Sequence, residues 1–436
     1  MKQSIWHGAL ADVPERGPLV GERKTHVLVI GGGMAGLLTA YMLKKKGADC
    51  LLLEAGRVCS GNTGRTTAKI TAQHGLIYAR LIRQYGALAA RRFYEANTAA
   101  AGVYRALAEE IDCDYEEKTA YVYSTDDRAA LEEEAAAYVK LRIPHTWRED
   151  PPLPVRACGA LGMPQQAQFH PLKLVRGILP ELDYHENTFV TDIQGRRALT
   201  RQGAVTAEHI VLATHYPMVN VPGLYFLKLY QSRSYVLGLE GGPDVDGMYI
   251  DKQAGGLSLR NYGDMLLLGG GGHKTGKPGG GWAALREVAQ RAYPGAEIRC
   301  EWAAQDCMSL DGMPYIGAHR KSTPYLHVAT GFNKWGMTGS MLAATMLARQ
   351  IETGTSPCAG LFWPRRSMLH PALFSNIGTA ALHLLKPGKR CAHMGCSLHW
   401  NEAEQSWDCP CHGSRFDYTG KWLNGPAQED LPSIHL

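Results

Sequence analysis

Residues 25–54 read THVLVIGGGMAGLLTAYMLKKKGADCLLLE, and the order of their parts decides the fold. A short apolar run is followed by Gly31, Gly33 and Gly36 in G-x-G-x-x-G spacing, then an apolar-periodic segment, a second apolar run and an acid. That order predicts a strand–turn–helix–strand unit that holds a dinucleotide. Gly31 permits the tight turn off the strand, Gly33 lets backbone approach a pyrophosphate, and Gly36 lets the helix lie close on the sheet. The helix start offers free N–H groups and the positive end of its dipole, so phosphates are held without a basic side chain. Glu54, about 20 residues on, is placed to accept ribose hydroxyls. The glycines alone leave FAD and NAD open.

The 436 residues suffice for two or three domains with substantial cores, and 45% apolar with 20% charged residues fits a globular protein. A net charge of +5, read as modest and evenly spread, predicts neither nucleic acid nor an anionic membrane as partner. No run of 18 apolar residues predicts a membrane span, and the start, MKQSIWHGAL, has no signal-peptide core, so a cytoplasmic location is expected. Cys50, Cys59, Cys113, Cys158, Cys300, Cys307 and Cys358 are scattered and read as buried or free thiols in a reducing compartment. Four more crowd between Cys391 and Cys411.

Residues 1–24 read as an irregular arm. Residues 56–75, GRVCSGNTGRTTAKITAQHG, form a small, polar loop leaving the second strand, where open α/β sheets bind ligands. Ala-rich segments 76–111 and 126–141 have helical periodicity, and 118–125 alternates like a strand. From Val190 a β-meander returns through a buried strand, 209–214. Repeated alternation over 225–272 predicts a separate antiparallel sheet, and 282–293 a helix. A strand at 325–329 leads into TGFNKWGMTGSMLAATMLARQIETG, where Gly331, Gly336 and Gly339 precede an amphipathic helix whose N-terminus can face an electron-rich ligand.

Taken together, the fingerprint at 31–54, the threonine-rich loop at 63–71, IVLAT at 210–214, DGMPYIG at 311–317 and TGFNKWGMT resemble the D-amino-acid oxidase and glycine oxidase (DadA-like) superfamily of FAD-dependent oxidoreductases. The resemblance implies FAD, with Gly31, Gly33, Gly36 and Glu54 at its ADP half and Val190 at the adenine. It implies Thr66, Thr67 and Ala68 near the ring or ribityl chain, and Gly331, Gly336, Met337 and Thr338 at the pyrimidine end of the flavin. There, preorganised N–H donors stabilise the charge that reduction creates. Some family members bind FAD covalently through a histidine near the position of Arg65; arginine cannot form that bond, so non-covalent FAD is expected.

Residues 391–417 read CAHMGCSLHWNEAEQSWDCPCHGSRFD. Cys391-x-His393, fifteen intervening residues and Cys409-x-x-His412 match the ligand pairing of a Rieske [2Fe–2S] centre, two thiolates on one iron and two imidazoles on the other. Two Cys and two His also suit zinc. Cys396 and Cys411 resemble the disulfide pair that ties the ligand loops together in Rieske proteins, and Gly413-Ser414 resembles the segment whose hydroxyl bonds a cluster sulfur. Phe416 stands where many Rieske proteins have Tyr, which predicts a potential lower in the range. Only 24 residues separate Arg366 from Cys391, too few for the strands that usually precede the first ligand.

The resulting expectation is an α/β chain: a Rossmann-like FAD domain of glutathione-reductase type with an antiparallel-sheet substrate domain, plus a small all-β Rieske domain. The flavoprotein body would span 1–370, with FAD-binding parts at about 25–80, 150–215 and 300–360 and the covering sheet at about 216–300; the abbreviated Rieske domain would span 371–436. A small amine or amino-acid-like substrate would reduce the flavin, and electrons would pass to the cluster and an unidentified acceptor. Arg233 and Arg260, with Tyr235 and Tyr262, are candidates for a substrate clamp, and His273 and Arg260 for catalysis. Rival readings are an NAD(P)H-dependent reductase, for which GGGGHKTG would have to serve a second nucleotide, and a non-catalytic redox sensor.

Overall fold

The apolar run at 27–30 is buried because its strand lies in the middle of a parallel sheet. The computed structural model describes residues 3–219 and 223–432. In it, Gly21–Ile30 pairs in parallel with Cys50–Leu53 on one side and Gly203–Leu212 on the other. Asp183–His185 continues the sheet beyond Cys50–Leu53, and Leu326–Thr330 beyond Gly203–Leu212, with antiparallel Tyr315–Ala318 at the edge. Covered on both faces, these strands read as continuous apolar runs. The helix Met34–Lys45 packs on the sheet and against Gly336–Thr353, so the two glycine-rich helix starts lie in one layer. The meander from Val190 comprises Val190–Gln194 and Arg197–Thr200, returning through Gly203–Leu212.

A second sheet of nine strands covers the first. Its order runs Glu297–Ser309, Leu229–Glu240, Met265–Lys274, Ser258–Tyr262, Met248–Asp251, Glu116–Tyr123, Ala160–Gln168 and Lys69–Ile70, with Thr146–Arg148 beside Ala160–Gln168. The sheet therefore recruits strands from well before residue 216, including one from the threonine-rich loop. Tertiary pairing, not local pattern, brings these short segments together. Gly269–Gly272 lies inside the strand Met265–Lys274, not at a strand-to-helix turn, so it is not built as a second phosphate cradle. The N-terminal arm is pinned by Trp6, fully buried, whose Nε1 donates to the carbonyl of Thr66 at 2.7 Å.

The last sheet, His399–Asn401, Ser406–Asp408, Arg415–Asp417 and Trp422–Asn424, begins after the first Cys/His loop. Of the 24 residues before Cys391, Pro371–Leu385 form a helix and none belongs to a strand of this sheet. Support comes instead from the covering sheet. Arg233 forms a two-point ion pair with Glu404, Arg415 Nη2 lies 3.0 Å from Glu404 Oε2, and Arg415 Nε donates to Asp408 Oδ1 at 2.9 Å. Two cations and two anions are thus buried in balance. Burial pushes the Glu404 carboxyl up, but Arg233 and Arg415 outweigh it and hold it below its usual range.

Glu404→Gln leaves Arg233 and Arg415 facing Asp408 alone, a loss of about 3–5 kcal/mol for a broken buried pair. Calorimetry is expected to show a separate, lower-temperature transition for the C-terminal sheet in this variant.

Candidate functional site: two adjoining cofactor compartments

The parallel sheet, the covering sheet and the C-terminal domain enclose a cavity of about 780 Å³. One end is built by the glycine fingerprint. Gly31 adopts φ +110°, and a Cβ on Gly36 would collide with the carbonyl oxygen of Gly31, so the helix can sit this close only with glycine there. The helix start has no side-chain cap of its own; Thr63 Oγ1 reaches back to accept from Met34 N at 2.9 Å. Glu54 accepts from Gly32 N at 2.6 Å and Gly56 N at 2.8 Å, and each oxygen keeps a lone pair for a ribose hydroxyl. Burial raises its carboxyl above the usual range.

Gly31, Gly33, Glu54, Thr66, Thr67, Val190, Gly336 and Met337 line the cavity. Gly36, Ala68, Gly331 and Thr338 stand one layer behind. Thr338 Oγ1 accepts from Thr71 N at 2.9 Å and donates to Thr71 O at 3.0 Å, tying the second helix start to the threonine-rich loop. His74 stacks on Trp335 at 4.9 Å and bonds the Thr71 carbonyl through Nε2 at 2.8 Å. A cavity of this volume with a phosphate-type helix start and a second helix start in its wall fits an extended FAD.

The proposed substrate residues fall differently. His273 is not among the residues that line the cavity; its ring stacks on that of Tyr235 at 5.8 Å, while Tyr235 itself and Gly269, Gly270 and Gly272 of the His273 strand form part of the wall. Arg233 is likewise outside the lining and is consumed by Glu404. Tyr235 donates to Glu404 Oε1 at 3.3 Å, and the Tyr262 hydroxyl to Asp114 at 2.5 Å. Arg260 is fully buried behind the cavity wall, its guanidinium over the rings of Trp6 and Tyr262 with no hydrogen-bond acceptor among the described residues.

Sequence reasoning passed over Lys69. It follows Thr66, Thr67 and Ala68 into the short strand Lys69–Ile70, opens on the cavity and lies 3.1 Å from Ser258 Oγ. Burial, and secondarily the Arg260 charge, push its amine down to about 7, whereas Arg260, lowered by burial to about 9, stays cationic at neutral pH. Lys334 stands at the cavity mouth with Nζ 3.0 Å from Ser234 Oγ.

The Cys/His residues converge in a second compartment next door. Cys391, Cys409 and His412 are at most 3% exposed, and the rings of His393 and His412 meet edge to face at 5.1 Å. His412 bonds the Phe226 carbonyl through Nε2 at 3.1 Å, while its buried Nδ1 has no partner among the described residues. A metal-bound imidazole characteristically anchors its other nitrogen on a carbonyl in this way. Burial lowers both imidazoles to about 4, so both are neutral, as ligands must be. The sulfurs of Cys396, Cys409 and Cys411 lie within 4.8 Å of one another. Taken alone, that trio suggests an all-thiol site; the open Nδ1 of His412 favours the mixed Cys/His set, with Cys396 and Cys411 side by side.

The compartments share walls. Tyr216, also missed from sequence, lines the cavity and packs against His393 at 6.3 Å and His412 at 6.5 Å. Trp422, Gly425, Pro426 and Gln428 of the C-terminal domain line the same cavity. Gln305 Nε2 donates to the Gly413 carbonyl at 2.8 Å, fastening the second ligand loop.

Such a fold and site define a flavoprotein oxidoreductase joined to an iron–sulfur domain. The chain belongs to the FAD dependent oxidoreductase (DAO) family, whose model matches residues 26–350, and residues 385–435 match the Rieske [2Fe-2S] domain. YhfW of Bacillus subtilis (strain 168), named as a candidate Rieske 2Fe-2S iron-sulfur protein, is 34% identical over 98% of this chain and 96% of its own length. Glycine oxidase from Geobacillus kaustophilus shares the fold at a TM-score of 0.67, with 20% identity over 79% of this chain and 99% of that one. L-proline dehydrogenase from P. horikoshii does so at 0.66, with 18% identity over 79% and 98%. The chain is thus an FAD-dependent oxidoreductase carrying a Rieske domain, with FAD and a [2Fe–2S] cluster as cofactors. No described helix is long and apolar enough to cross a membrane.

Gly36→Ala must force the helix off the Gly31 carbonyl. The purified variant is expected to lose most of its flavin absorbance while keeping its iron.

Proposed function

We propose that the protein is a dehydrogenase for a small amine or amino-acid-like substrate, and that its electrons leave through the Rieske centre to an external acceptor. When bound, the flavin takes two electrons from the substrate and the cluster carries charge onward singly. Gly31, Gly33, Gly36 and Glu54 hold the ADP half, Val190 the adenine, and Thr66, Thr67, Gly336 and Met337 the flavin end; Arg65 leaves the flavin non-covalent. Cys391 and Cys409 would hold one iron and His393 and His412 the other, and Cys396 and Cys411, free thiols side by side in this structure, would form the disulfide across the ligand loops.

The observation that carries this reading is Tyr216: one ring walls the flavin cavity and touches both imidazoles. The C-terminal domain also closes part of that cavity, so the cluster is seated for exchange with the flavin. Lys69 supplies the base. Its amine, neutral above about pH 7, takes the ammonium proton of the substrate, and the nearby Arg260 charge favours return to the neutral form. Lys334 at the mouth attracts an anionic group such as a carboxylate.

Anaerobic mixing with an amino-acid and amine panel tests the proposal. A true substrate bleaches the flavin and then raises the EPR signal of the reduced cluster; bleaching with no cluster signal would refute the relay. Cys409→Ser is expected to lose iron yet still bleach, and Tyr216→Ala to slow cluster reduction without slowing bleaching. Bleaching should rise with pH about a midpoint near 7, because the neutral amine is the active form. Lys69→Met is expected to lose that limb and about 10²-fold or more in rate.

A further inference from the structure

The helix Pro371–Leu385 carries its apolar stripe on the outside. Phe374, Ile377, Ala381, Leu382, Leu384 and Leu385 cover an arc of about 160° at 3.6 residues per turn. Phe374 is 71% exposed, Leu382 59% and Leu385 86%, and Leu369 just before the helix is 84% exposed. No charged residue interrupts the arc. The opposite face seats the helix: Leu373 is buried, Asn376 Oδ1 accepts from Lys274 Nζ at 3.0 Å, and His383 Nδ1 bonds Ser397 Oγ at 2.9 Å. A surface helix of a globular protein normally shows the reverse arrangement.

The charge around it is one-sided. Between Glu352 and Glu402 there is no acidic residue, while Arg365, Arg366, Lys386, Lys389 and Arg390 are basic. Those five match the whole net charge of +5, so the rest of the chain is balanced. The even spread expected from the sequence does not hold. Asp311 neutralises Arg366, and Arg390 caps the helix end by donating to the Leu384 carbonyl at 2.9 Å and the Gly395 carbonyl at 3.1 Å. Lys386, directly after the apolar arc, is exposed.

We propose that this helix face docks the protein on the surface of an anionic lipid bilayer. An apolar arc followed by exposed basic charge lies in the headgroup region, its side chains entering the acyl boundary while Lys386 meets lipid phosphate. A two-fold copy of the chain fits less well, since it would lay an acid-free basic segment against itself. Docking would also bring the first ligand loop, fixed to the helix through Arg390 and Ser397 and carrying the 45% exposed Met394, against the membrane.

Co-sedimentation of the full holoprotein with vesicles tests this. Binding is expected to phosphatidylcholine vesicles containing phosphatidylglycerol, to weaken with salt, and to be absent with phosphatidylcholine alone. Phe374→Ser combined with Leu385→Ser should abolish binding while flavin and iron contents stay unchanged, and Lys386→Gln should weaken it about fivefold. Absence of binding to the anionic vesicles, or equal binding to both kinds, would overturn the proposal. So would sedimentation equilibrium showing a dimer that the Phe374/Leu385 double variant dissociates, which would make the face a self-interface.

Discussion

A charge-balanced knot inside the protein, Arg233, Glu404, Arg415 and Asp408, holds the iron–sulfur sheet to the flavoprotein body. Burying ions is costly unless each charge is answered at close range. Here the answers come from both domains, so neither surface is satisfied without the other. With the sheet fixed, its second ligand loop presses on Gln231, Gln305 and the carbonyl of Phe226. Glycines at the contact, Gly276 against the backbone of Pro410 and Gly413 against Gln231, leave no room for a Cβ.

This seating accounts for how so short a Rieske segment can be built. Its four strands all follow the first Cys/His loop, and the supporting layer is the outer face of the nine-stranded sheet. The same sheet presents its inner face to the flavin cavity. The two sites adjoin at Tyr216, which lines the cavity and packs against both imidazoles. The histidine pair, turned inward against Tyr216 and Phe226, is oriented to the flavoprotein body.

Within the cavity, desolvation does the chemical tuning. Arg260 is enclosed by Trp6 and Tyr262 and keeps its charge, while Lys69, beside it and opening on the cavity, gives up its proton near neutrality. The N-terminal arm contributes directly, because Trp6 lies under the guanidinium and donates to the Thr66 carbonyl in the threonine-rich loop that lines the cavity. An irregular arm in the sequence is thus part of the wall of the site.

The sequence by itself determined the glycine-rich strand–turn–helix unit, the cofactor types and the place of the iron–sulfur domain. Each is a local constraint: glycines where backbone must approach phosphate, and ligand types at fixed spacing. It also revealed the shortage of strands before Cys391. The tertiary structure alone decided which residues meet the cavity, leaving His273 and Arg233 out of its lining and bringing Lys69, Tyr216, Trp422, Gly425, Pro426 and Gln428 to the walls. A two-residue alternation shows that a strand has two sides without saying which side is in; that depends on pairings between segments more than a hundred residues apart, such as Arg233 with Glu404, which no local pattern encodes.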